Sequence, residues 1–99
     1  MNRSKDHILK ALHSHAEQIR RLGAQSLALF GSTARGEAAA GSDLDFLVEL
    51  SPKTFDTYMD VKFYLEDLFG TPVDLVLRES VKPVLRETIL GEAVHAEGL

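Results

Sequence analysis

Three aspartates and a glycine–serine pair are the residues of this chain whose types and spacing suit chemistry. Asp43 and Asp45 stand two apart at the head of the apolar run Leu44–Leu50. In a strand, side chains alternate, so both carboxylates leave one face while Leu44 and Phe46 turn to the other. Two anions roughly 7 Å apart along a strand repel one another, and a divalent cation relieves the conflict. Oxygen donors, in a chain without cysteine or a histidine pair at helical ligand spacing, suit magnesium, with manganese as the other option. The competing reading makes Ser42–Asp43 an Asx-type turn and Asp45 a solvated edge residue. Asp74 interrupts a second apolar run, Val73–Leu77. A lone buried carboxylate there is costly; it needs a cation or hydrogen-bond donors, unless it faces water where the strand begins. If Val73–Leu77 pairs beside Leu44–Leu50, Asp74 joins Asp43 and Asp45. Three carboxylates around two metal ions match the arrangement used for in-line phosphoryl or nucleotidyl transfer.

Upstream lies Leu29-Phe30-Gly31-Ser32-Thr33-Ala34-Arg35-Gly36. A strand ending at Phe30 would turn through Gly31 and Ser32 into a short helix. Glycine lets backbone approach a ligand with no side chain between. N–H groups at a helix start favour phosphate, and the Ser32 hydroxyl adds a donor. By itself, such a turn is as readily structural.

These residues need a scaffold, and the periodicity supplies one. Ile8, Leu9, Leu12, Ala16, Ile19 and Leu22 recur at helical spacing, which predicts one helix over Ser4–Leu22, with Ser4 as N-cap and Gly23 just past its end. Ser26–Phe30, Leu44–Leu50 and Val73–Leu77 read as strands. Glu37–Ser42 is small and polar, a loop. Thr54 caps a helix over Phe55–Phe69, closed by Gly70. Ser80 is the expected cap of a last helix, with Pro83 in its first turn and its end near Leu90. The tail from Glu92 to Leu99 reads as a short strand or as a segment that docks on a partner. His7, His13 and His15 lack the i, i+4 spacing of a ligand pair and read as a solvated helix face. The predicted fold is α+β, a two-layer α/β arrangement: a small mixed sheet with helices packed on one face.

Ninety-nine residues make one domain, burying roughly 60–70% of the surface of the unfolded chain. Little is left for a private acceptor-binding domain. The stretch Met1–His15 lacks the apolar h-region of a signal peptide, and no run approaches the roughly 20 apolar residues of a membrane span. A soluble, cytoplasmic protein is expected, with no membrane association. The net charge of −4 gives no general attraction to nucleic acid, so direct nucleic-acid binding is not expected.

The run Gly31-Ser32, ten intervening residues, then Asp43-x-Asp45 resembles the signature of the polymerase-beta-like nucleotidyltransferase superfamily, and most of all its minimal nucleotidyltransferase branch. Further matching stretches are Phe30-Gly31-Ser32-x-Ala34-Arg35-Gly36, Ser42–Val48, Gly70-x-Pro72–Val76 and Ile89-Leu90-x-Glu92-Ala93-Val94, so the resemblance covers nearly the whole chain. It implies a single minimal nucleotidyltransferase domain over residues 1–99. It implies that Gly31 and Ser32 bind the triphosphate of ATP and that Asp43 and Asp45 are catalytic and hold two Mg2+ ions. Asp74 becomes the third metal carboxylate, and Arg35 contacts phosphate or braces the loop. Members of this branch pair with a HEPN-domain toxin as its antitoxin, transferring AMP from ATP to a tyrosine. The resemblance therefore implies a magnesium-dependent protein adenylyltransferase in a hetero-complex with a HEPN toxin. The alternative is a non-catalytic antitoxin that neutralises its partner by stoichiometric binding.

Overall fold

The computed structural model describes residues 4–36 and 43–99; the expected loop Glu37–Ser42 lies outside the described residues. The N-terminal apolar stripe forms two helices, α1 (Lys5–Ser14) and α2 (Ala16–Arg21), rather than one. Ser4 caps α1 as expected, its hydroxyl accepting from the His7 N–H at 3.3 Å. The break falls at His15, whose φ of −107° and ψ of 11° leave the helical region. His15 is half-buried rather than solvated. Its Nδ1 lies 2.7 Å from the Tyr64 hydroxyl, a tertiary contact that helical spacing does not encode. Ile8, Leu12 and Ile19 still point inward together, so the short break re-aims the stripe without scattering it.

Strands β1 (Ala24–Phe30), β2 (Leu44–Leu50), β3 (Val73–Leu77) and β4 (Val94–His95) make one mixed sheet in the order β3-β2-β1-β4. β2 runs antiparallel to β1 and parallel to β3. The parallel pair needs a crossover, which is α4 (Phe55–Phe69). The Thr54 hydroxyl accepts from the Thr57 N–H at 3.1 Å, and Gly70 closes α4 at φ 64°, the left-handed conformation that glycine adopts without strain. The tail is a strand: Val94 pairs with Leu29 and His95 with Ala28.

α1, α2 and α4 pack on one face of the sheet. Phe46, Leu44, Val48, Leu27, Leu29, Val61 and Leu65 are fully buried there, and Phe46 stacks on Phe69 with ring centroids 6.1 Å apart. α5 (Pro83–Glu92) lies on the opposite face, over a smaller cluster of Ala28, Leu47 and Val81 flanked by Phe30, Val76, Ile89 and Leu90, so helices cover both faces of the α+β sheet where one was expected, because Ala28 and Leu47 give the second face apolar side chains of its own. This helix starts later and ends later than its residue types suggest. A 3₁₀ turn takes up Arg78–Ser80, Lys82 occupies the cap position, and Pro83 opens the helix, where its missing N–H is not needed. Gly91 stays helical because nothing there demands positive φ. The chain leaves the helix only at Ala93, whose extended backbone feeds β4.

Edge strand β3 is tied down from α4 rather than by a further strand. Tyr58 donates to the Leu75 carbonyl at 2.6 Å, Lys62 to the Val73 carbonyl at 3.0 Å, and the Val73 N–H to Glu66 Oε2 at 2.9 Å. Side chains thus satisfy backbone groups that an edge strand leaves open, and they hold Asp74, midway between the tethered residues, in register with its neighbour.

Candidate active site

The parallel register sets Asp45 directly beside Asp74. Adjacent strands lie about 4.8 Å apart, so these two carboxylates leave neighbouring backbone positions. Both share the face of Leu47 and Val76, which pack under α5, because side chains two apart on a strand point the same way. Asp43 precedes β2 by one residue and is exposed; Asp45 is half-buried and Asp74 exposed. The premise that Asp74 is a buried carboxylate is thus corrected: β3 is covered on the α4 face only at this position. The trio is one electrostatic unit all the same. Partial burial pushes the Asp45 carboxyl above its ordinary range, the charges of Asp74 and Asp43 push it further the same way, and Arg35 opposes them.

The turn after β1 completes the arrangement. Phe30 pairs with Asp45 across the antiparallel ladder, and the chain enters the four-residue helix α3 (Gly31–Ala34). Gly31 has a φ of 78°, and a Cβ built there would collide with Asp45 Oδ2 and lie 3.1 Å from Asp45 Cγ. The absence of a side chain at Gly31 therefore leaves the space in which the Asp45 carboxylate sits. One turn of helix carries little dipole; what it offers a phosphate is its first N–H groups, which have no intrahelical acceptor. The Ser32 hydroxyl lies outside the described atoms. Arg35, at the end of α3, donates from Nη1 to Glu92 Oε2 at 3.1 Å, so it braces α3 against α5 while facing Asp45.

The donor set fits a hard divalent cation: carboxylate oxygens, clustered, mutually repelling and beside a cradle that a Cβ would fill. Among the described residues no three His, Cys, Asp or Glu side chains are posed to cage an ion as they stand. Asp43 and Asp74 are exposed, and closing on an ion takes rotation about their side-chain bonds from one staggered well to another. A separate concavity of about 420 Å³, lined by residues including Glu49, Lys53, Arg78 and Arg86, holds none of the trio. Glu49 lies roughly 13 Å along β2 from Asp45, from the strand rise.

The family model of the nucleotidyltransferase domain matches residues 12–95. The chain belongs to the nucleotidyltransferase domain family. This nucleotidyltransferase is 36% identical over 92 residues to the protein adenylyltransferase MntA of Thermococcus cleftensis, covering 91% of this chain and 93% of the relative. It superposes on a solved candidate minimal nucleotidyltransferase with a TM-score of 0.72 at 40% identity, over 87% of this chain and 93% of the other. Near-complete coverage of both relatives places it among the minimal members, with the polymerase-beta-like fold. It also shares its fold with a chain of the complex between tri-AMPylated Shewanella oneidensis HEPN toxin and MNT antitoxin, with a TM-score of 0.62 at 19% identity over 92% of this chain and 73% of that one.

Two residues of this nucleotidyltransferase escaped the sequence reading. Glu92 falls within one of the matching stretches, yet nothing in its type reveals that it meets Arg35. Thr33 is buried in α3, and its hydroxyl has no hydrogen-bond partner among the described residues. A buried, unpaired hydroxyl costs about 1–3 kcal/mol, so the isosteric Thr33→Val should raise stability by about 1 kcal/mol in urea denaturation. A loss of stability would show that the hydroxyl is satisfied in solution.

Proposed function

We propose that this chain is a magnesium-dependent adenylyltransferase that moves AMP from ATP to a tyrosine hydroxyl of a partner HEPN toxin and thereby acts as its antitoxin. It works in the cytoplasm as one minimal domain. The observation that carries the reading is the side-by-side register of Asp45 and Asp74, with Gly31 pressed against the Asp45 carboxylate. The name of the Thermococcus cleftensis relative and the HEPN complex that shares the fold support it.

In the proposed reaction the tyrosine hydroxyl gives up its proton to solvent, its oxygen forms a bond to the α-phosphorus of ATP, the bond from that phosphorus to the bridging oxygen breaks, and pyrophosphate leaves. Bound Mg2+ would supply charge neutralisation on the phosphates and acidify the hydroxyl. Asp43 and Asp45 would hold the ions, and Asp74 would complete the set from the neighbouring strand. Gly31 and Ser32 would admit the triphosphate along the turn after β1, with Arg35 beside it as the fixed positive charge.

The test is incubation with α-labelled ATP and magnesium, with and without the protein encoded beside this one. Label on a tyrosine of that partner, and none without magnesium, is the expected result. Label that appears on RNA or a small molecule and never on protein would overturn the reading.

One observation favours a second reading, neutralisation by binding alone. Helix α5 buries none of its residues, and Val84 and Leu85 are 83% and 49% exposed, a surface suited to a protein partner. The two readings part on the Asp43→Ala/Asp45→Ala variant in a toxin-neutralisation assay: binding alone survives that change and catalysis does not.

A further inference from the structure

Glu92 stands at the last turn of α5, and the pairing of Val94 with Leu29 brings it beside the junction of β1 and α3. Its Oε2 accepts from Arg35 Nη1 at 3.1 Å, with the two side chains 32% and 42% exposed. An ion pair that exposed adds little to stability, so its main consequence is where it leaves the guanidinium. Arg35 closes the four-residue helix that begins at Gly31, and Gly31 abuts Asp45. A guanidinium forks onto a carboxylate through two parallel N–H bonds, and an aspartate so engaged has fewer oxygens to offer a metal ion.

Resting on the reading in the previous subsection, we propose that Glu92 is a positioning residue: it holds Arg35 to the side of the acidic trio, so that Asp43, Asp45 and Asp74 stay open to divalent cations while Arg35 remains at hand for phosphate. α5 thus contributes to the site through its last turn, without touching nucleotide or metal.

The test reads Mn2+ binding by the full chain without nucleotide, from the electron paramagnetic resonance signal of the free ion. Glu92→Ala should weaken binding about two- to fivefold, the range of a competing, partly exposed ion pair. Adding Arg35→Ala to Glu92→Ala should return binding to the wild-type level or better, because the competitor is gone. Merely disturbing the end of α5 would not be repaired by removing Arg35. The half-saturating Mg2+ concentration for AMP transfer should rise in Glu92→Ala by the same factor. Binding by Glu92→Ala equal to wild type, or a double variant as weak as the single one, would overturn the inference and leave the proposed function standing. Wild-type protein that binds no Mn2+ at millimolar concentration would also overturn the inference, while the labelled-ATP assay judges the proposed function separately.

Discussion

Asp45→Asn is expected to abolish AMP transfer and, in the absence of divalent metal, to make the protein more stable. The first effect follows from the donor set. A metal clamp on a transferring phosphoryl group supplies several kcal/mol of charge stabilisation, and 1.36 kcal/mol is tenfold in rate, so a drop of roughly 10³-fold or more is expected, with Asp43→Ala alike. The second follows from the sign of the Asp45 shift. Burial and the charges of Asp74 and Asp43 raise its pKa in the fold, so the native state holds that proton more tightly than the unfolded chain does. The associated stabilisation is complete below the ordinary aspartate value of about 3.9 and is lost as pH rises through the folded value. At neutral pH the ionised trio therefore opposes folding, and asparagine removes one of its charges. For a chain of this size each 1 kcal/mol shifts Tm by about 4–8 °C, so melting in EDTA at pH 7 can detect the gain. At pH 3 the difference should vanish. Unchanged transfer by a purified Asp43→Ala/Asp45→Ala protein would falsify the metal assignment, and a destabilised Asp45→Asn at pH 7 would show that its carboxylate is a structural ligand.

Gly31→Ala should be nearly as damaging to activity, for a steric reason. At φ 78° an L-residue is strained, and the added methyl would strike the Asp45 carboxylate. Backbone strain of this kind costs of order 1–3 kcal/mol. Moving a catalytic group by about 1 Å costs on the order of 10²-fold in rate, so both denaturation and the labelled-ATP assay should register the change. Gly36 supplies the control: its φ is 75°, yet no described atom lies within 4 Å of the Cβ it would gain. Gly36→Ala should show the strain and keep the transfer rate. Equal loss of activity in both variants would mean that the collision with Asp45 is not what matters.

Residue type and spacing alone carried much of this site. The alternation around Asp43-Leu44-Asp45 assigned both acids to the face opposite Leu44 and Phe46, and those two side chains are fully buried. Period-two and period-3.6 patterns are local properties, which is why the ranges Leu44–Leu50, Phe55–Phe69 and Val73–Leu77 match the observed elements without adjustment. Local rules failed where a distant residue intervened. His15 leaves the helical path where its ring meets the Tyr64 hydroxyl, 49 positions away. The start of α5 was misplaced because Ser80 is a good cap by type, whereas the chain spends Arg78–Ser80 in a 3₁₀ turn before Pro83.

By itself, then, the sequence determined the α+β class, which three strands and their helices carry, and which acidic residues share one face of β2, because each depends on neighbours within a few positions. Only the tertiary structure decided that Asp74 lies level with Asp45, that Gly31 fits against that carboxylate, and that Glu92 holds Arg35. Those three depend on strand register, and register is set by the packing of Phe46, Val48 and Leu75 against the helices and by the bonds that anchor β3 to α4. A slip of one position would have turned Asp74 to the other face.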